Sequence, residues 1–308
     1  MSITQPSPPW GAFPAEQYLI RNWDSSSPLS ATGQRRELIR AFLKLDTIPQ
    51  EWDTTGRGRA GTPPMERIPT EDEVRGILEP WRPLRWREAA LHIWKDRYDE
   101  AIWLCTHYGE EPESGGKFQE WRQIDGDYDP AFEEDNVSWT VLDDAADVFD
   151  FGDDWGRVFD VLPEIAGPIQ GWSRSLGVEV EVHPLQQKLH DAVRAAEEGD
   201  AESEAEYGIH GMELQAEAVS TFLIVADAEA WDTGRLSLLY LDAKGNIVRH
   251  SRIAPEEVFE VRHQFIGKKF RDSSWWVNRD DPTSGLHNEP GGVLGEKQLW
   301  SLILLPRL

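Results

Sequence analysis

Apolar positions along the chain predict short helices first and mostly strands afterwards. In residues 34–45, Leu38, Ile39, Phe42, Leu43 and Leu45 fall on one helical face, with Arg35, Arg36 and Arg40 mostly off it. Thr70 followed by Glu73 is a capping-box pattern that predicts a short helix running through Leu78, stopped by Pro80 and Pro83. From Leu84 the pattern reads as β. Residues 91–94 and 101–107 predict a hairpin across the polar stretch 95–100, and residues 117–124 and 136–142 extend it as a meander. Residues 155–162 and 176–183 are further strand candidates, and Pro184 opens an amphipathic helix over 185–198. Residues 221–226 and 236–242 predict strands, and the turn Ala243-Lys244-Gly245-Asn246 returns the chain into 247–252. Residues 299–305 close it as a last strand.

No series of regular helices alternates with these strands, which argues against a doubly wound parallel sheet. The expected fold class is α+β, a mostly antiparallel sheet with a few short amphipathic helices in two subdomains. Residues 1–30, rich in Pro and Ser with Trp10, Phe13, Tyr18 and Trp23 among them, predict an extended aromatic arm docked on the body. An α+β domain over 31–196 follows, then an acidic linker at 197–207 and a β-rich subdomain over 208–308.

Charge changes the picture most. The chain of 308 residues carries a formal net charge of −25. Residues 110–217 hold 29 acids against 6 bases, whereas residues 1–109 and 218–308 are each at −1. A charge so localised repels nucleic acid and anionic lipid and attracts basic proteins and cations. A solubility coat would spread over the whole chain, so the segregation favours a partner surface. Fifteen Trp and eleven Phe supply the buried area that a folded core needs. The single cysteine, Cys105, excludes an intramolecular disulfide and reads as a buried thiol in an apolar run. The amino terminus lacks the features of a signal peptide and the apolar runs are too short to span a bilayer, so the expectation is a soluble, cytoplasmic protein.

Three constellations carry candidate chemistry. Asp143, Asp144, Asp147, Asp150, Asp153, Asp154 and Asp160 form a carboxylate cluster without the order of an EF-hand loop. A solvated acidic face is the plainer reading. As a partner surface, its members from Asp143 to Asp154 would be the charged rim, with Trp139 and Trp155 as aromatic anchors. Alternation along residues 179–183 puts Glu179, Glu181 and His183 on one strand face, to which His190 or His210 could add a divalent-metal ligand. An exposed strand face shows the same alternation. The basic–aromatic run from Trp81 to Arg87 suits stacking on bases, but docking onto the protein's own acidic middle explains it better. No nucleophile elbow, Walker loop, zinc-protease helix or dinucleotide fingerprint occurs.

The expected function is therefore that of a non-enzymatic acidic protein that binds and neutralises a basic protein partner, with no cofactor, no membrane and no direct nucleic-acid contact. One alternative is a metal-dependent enzyme, in particular a hydrolase, built on Glu179, Glu181, His183 and His190. A second is a Trp-rich pocket for a small ligand.

Overall fold

The computed structural model describes residues 8–45, 48–55, 65, 67–82, 84–96, 101–107, 114–124, 141–142, 154–166, 219–242, 244–266 and 289–290. Their architecture is α+β. The sheet has six strands in the order β2-β1-β3-β4-β5-β6: β1 (Ile102–Cys105), β2 (Val141–Leu142), β3 (Val219–Ala226), β4 (Leu236–Asp242), β5 (Ile247–Ile253) and β6 (Glu289–Pro290). It is mixed rather than mostly antiparallel. β1 pairs parallel with both β2 and β3, while β3 to β6 form an antiparallel series. The expected strands at 221–226 and 236–242 and the returning hairpin at 247–252 are present.

Alternation along the strands gives each face its own core. Trp103, Phe222, Ile224, Leu238 and Tyr240 point to one face, where Phe118 and Trp121 of α5 (Ser114–Ile124), Ala230 of α6 (Ala228–Thr233) and Val258 and Val261 of α7 (Val258–Ile266) cover them. Ile102, Leu104, Leu223, Val225 and Leu239 point to the other face. There they meet Trp86, Ala89, Ala90, Ile93 and Trp94 of α4 (Leu84–Asp96), Val158, Phe159 and Ile165 of two 3₁₀ turns, Trp155–Asp160 and Pro163–Ile165, and Leu162 between those turns.

A third cluster lies in the amino-terminal part of the chain. α1 (Pro14–Asn22) and α2 (Ala31–Leu43) pack with the π turn Val74–Leu78 through Leu19, Ile39, Phe42, Ile77 and Leu78. The capping box is formed as expected. The Thr70 hydroxyl accepts from Glu73 N–H at 3.2 Å, the Glu73 carboxylate accepts from Thr70 N–H at 2.9 Å, and α3 (Glu71–Glu73) leads into the π turn. Arg35 of α2 donates to the carbonyls of Gly76 at 2.7 Å and Ile77 at 2.9 Å, which ties the helix to that turn. Burial lowers the Arg35 pKa.

Four expectations on local structure are corrected. Residues 14–22 are helical rather than extended, with Pro14 at the helix start where its missing N–H costs nothing. Residues 84–96 form one helix, so β1 has no hairpin partner at 91–94 and pairs with β2 and β3 instead. Residues 117–124 belong to α5, which makes β1–α5–β2 a parallel crossover. The segment 155–162 coils into 3₁₀ turns rather than a strand.

The β4–β5 turn also fixes the acidic segment. Gly245 has a φ of 79°, and a Cβ there would stand 2.9 Å from the Phe159 ring. Gly245→Ala therefore combines left-handed strain with a ring collision. We expect a loss of about 1–2 kcal/mol or more, seen as a lower midpoint in chemical denaturation with an unchanged slope.

Candidate functional site

Of the expected partner-binding residues, Asp154 and Trp155 lie among the described residues. Asp143, Asp144, Asp147, Asp150, Asp153 and Trp139 lie outside them, as do Glu179, Glu181, His183, His190 and His210. Among the described residues, no three His, Cys, Asp or Glu side chains gather to hold a metal.

Asp154 is exposed at the start of the 3₁₀ turn Trp155–Asp160, and its carbonyl accepts from Arg157 N–H at 3.1 Å. Trp155 is half-buried. Its ring packs against the core cluster on the α4 face and meets Phe159 edge-on at 5.9 Å. The segment is thus seated by its apolar side chains while its first carboxylate stays in solvent.

The acids further along the segment turn inward and are met by arginines of the amino-terminal third. Asp160 faces Arg36 at 3.0 Å and Arg40 at 3.8 Å, one turn apart on α2. Its carbonyl accepts from the Trp81 indole N–H at 2.8 Å. Burial raises the Asp160 pKa, outweighing the opposing pull of Arg36, Arg40 and Arg157, and Asp154 pushes it in the same direction as burial. Four residues on, Glu164 accepts from Arg82 Nη1 at 2.7 Å.

Arg82 belongs to a buried cluster of four charges. Glu16 and Arg82 have no exposed surface, and Arg87 and Glu164 are each 2% exposed. Glu16 Oε1 accepts from Arg87 Nε at 2.7 Å and lies 3.5 Å from Arg82 Nη2, while Oε2 accepts from Gly11 N–H at 2.7 Å. Arg87 also donates to the Pro9 carbonyl at 3.0 Å and lies 3.9 Å over the Trp10 ring. Arg82 sits over Trp81 at 4.4 Å and Phe13 at 4.9 Å. Gly11 has a φ of 85°, and a Cβ there would stand 2.9 Å from Pro69, so the loop that delivers its N–H to Glu16 depends on glycine.

Two acids and two bases balance in this cluster, yet Arg82 Nε and Glu164 Oε1 have no hydrogen-bond partner. A catalytic reading has no support in this geometry, because the carboxylates are each taken up by arginine and no exposed side reaches solvent. What the cluster does is fix register. It joins α1, the chain entering α4, α4 itself and the Pro163–Ile165 turn at one point.

The docking of the Trp81–Arg87 run onto the protein's own acidic middle, expected from charge, takes the form of Arg82 on Glu164 and Trp81 on Asp160. Glu16 and Glu164 were not singled out in sequence, whereas Asp160 was, as the last member of the carboxylate cluster. Glu16 carried one usable signal, since it stands among apolar residues in the first turn of a helix that starts at Pro14. Comparison with protein-family models, with curated proteins and with solved structures found no match for this chain.

Two predictions follow from these charges. Glu16→Ala strands the buried Arg87 guanidinium, leaves Arg82 with Glu164 alone, and is expected to cost about 3–5 kcal/mol; Arg87→Leu added to it should recover part of that loss, which a double-mutant cycle by urea denaturation measures. Asp160 has the opposite sign. Its folded pKa is raised, so its protonated form favours folding, and that contribution is lost as pH rises through the folded value. Asp160→Asn should therefore match or exceed wild-type stability at pH 7. Its advantage should shrink as pH falls through the folded pKa towards the ordinary carboxylate value.

Proposed function

We propose that this chain is a non-enzymatic binding protein whose acidic middle third engages and neutralises a basic protein partner. The observation that carries the reading is the segregation of charge, −23 in residues 110–217 between two flanks at −1 each. Asp143, Asp144, Asp147, Asp150, Asp153 and Asp154 form the charged rim in this reading, with Trp139 and Trp155 as anchors. The sign and density of charge suit a partner that otherwise binds nucleic acid or another polyanion, and they steer its approach over long range.

The fold around residues 154–166 supports this reading. Asp160 and Glu164 are matched by arginines from outside the acidic third, and apolar contacts seat the segment on the sheet. Asp154, just ahead of them, remains exposed. Asp154 is thus carried on a seated base, which reduces the ordering cost that a free acidic tail meets on binding.

The test is affinity capture from a host lysate at low and high salt, followed by titration of the captured basic protein. The complex should form at low salt and wash off at high salt. Replacing all six rim aspartates with Asn should weaken it by about 100-fold, taking roughly 0.5 kcal/mol per rim charge. Capture of no basic protein, or a six-Asn variant that binds as wild type, would contradict the proposal.

A further inference from the structure

The first 3₁₀ turn of the acidic segment carries an exposed carboxylate beside a seated aromatic ring. Asp154 is exposed, and its side chain makes no capping hydrogen bond to the turn. A Cβ at Gly156 would meet only the Asp154 carboxylate, at 3.8 Å, so the carboxylate lies back along the turn over open backbone. Trp155, between them, is half-buried. Its ring rests on the core cluster of the α4 face and meets Phe159 edge-on at 5.9 Å. Such contacts fix the ring before anything binds to it, which lowers the ordering cost of using it as an anchor. Among the described residues no cation stands over the Trp155 ring and no base pairs with Asp154. The nearest base in sequence, Arg157, acts on Asp160.

The interior of the same chain shows how it holds a guanidinium. Arg87 donates to the Glu16 carboxylate at 2.7 Å and lies 3.9 Å over the Trp10 ring. Arg82 donates to Glu164 at 2.7 Å and lies 4.4 Å over the Trp81 ring. In each case one carboxylate and one indole take one arginine, because a planar, weakly hydrated cation can stack on a ring while its donors face an acid. Lys117 meets tryptophan rings more loosely. Its Nζ lies 5.0 Å from Trp121 and 5.5 Å from Trp231, and it donates to the Trp231 carbonyl rather than to a carboxylate. Asp154 and Trp155 repeat the pair of acid and indole at the surface, next to each other in sequence.

We propose that Asp154 and Trp155 form a guanidinium site that receives an arginine of the basic partner in preference to a lysine. This rests on the proposed function and names the residue type that one of its contacts reads. The arginine stacks on the exposed part of the indole and donates to the Asp154 carboxylate. An ammonium group feels the same charge attraction, but it cannot stack as a plane or reach a carboxylate through two parallel donors. The long-range field draws in any basic chain, and this pair tells arginine from lysine.

The probes are decaarginine and decalysine peptides, titrated by calorimetry at about physiological ionic strength. Wild type is expected to bind decaarginine about fivefold more tightly than decalysine, the scale of one exposed cation–π contact. Trp155→Leu, which keeps an apolar side chain on the core, should bring that ratio to about one. In NMR the indole N–H resonance of Trp155, identified by its absence in Trp155→Phe, should move with decaarginine. That of Trp94, bonded to Asp53 at 3.0 Å, should stay in place. This second reading holds even if Trp155→Leu does not fold. Equal binding of the two peptides by wild type, a preference kept in Trp155→Leu, or an unmoved Trp155 resonance overturns the site. When the six-Asn rim variant loses both peptides but wild type does not discriminate between them, this site alone fails. When wild type binds neither peptide, the partner reading fails with it.

Discussion

Four buried charges hold the organisation of this chain together. Glu16, Arg82, Arg87 and Glu164 come from four separate places in sequence and meet with almost no exposed surface. Removing charged groups from water is costly, and mutual pairing in a low-dielectric interior recovers that cost only when geometry is kept. The unpaired Arg82 Nε and Glu164 Oε1 show that recovery here is incomplete. Such a cluster contributes less to net stability than to uniqueness. If α1 or the 163–165 turn shifts, a charge is stranded. The amino-terminal helical cluster and the acidic segment are therefore fixed through the same arginine, Arg82.

The consequence for function lies in what that arrangement leaves unmatched. The inward acids of the described acidic segment are met by Arg36, Arg40 and Arg82, all from a part of the chain that is nearly neutral overall. The 29 acids of the acidic third have only 6 bases within it, so an excess of 23 negative charges has no counterpart there. Asp160 shows the strain of this economy. Three arginines surround it, yet burial still holds its pKa above the ordinary value. The fold tolerates a carboxylate there without gaining stability from its charge. Beside this segment the mixed sheet sets β1 between two parallel neighbours, β2 on one side and β3 on the other.

How much of this was legible in sequence depended on what each element packs against. β3 and β4 are apolar runs bounded by turn residues, and such runs declare themselves without knowledge of their neighbours, while the more polar β5 follows from the turn before it. The Thr70–Glu73 box is local chemistry and was equally readable. α4 was misread because Leu91-His92-Ile93-Trp94 resembles a strand when taken alone. Its true signature, Trp86, Ala89, Ala90, Ile93 and Trp94 at helical spacing, needs a longer window. α5 offered only Phe118 and Trp121 behind Gly115 and Gly116, a weak helical signal overridden by tertiary packing. The parallel pairing of β1 could not be read, since it depends on β3, more than a hundred residues away. Charge segregation and the self-docking of the Trp81–Arg87 run were visible in composition. The partners of that run, Glu16 and Glu164, were not, because burial rather than residue type makes them special.

The central claim is that the acidic third steers a basic protein onto this chain. Its most direct measurement is the association rate constant of the captured partner as a function of ionic strength, by stopped-flow fluorescence. The account predicts an association rate that falls steeply as salt rises, with a dissociation rate that changes far less. An association rate insensitive to salt would contradict it, and the segregated carboxylates would then be a coat for solubility rather than a surface for recognition.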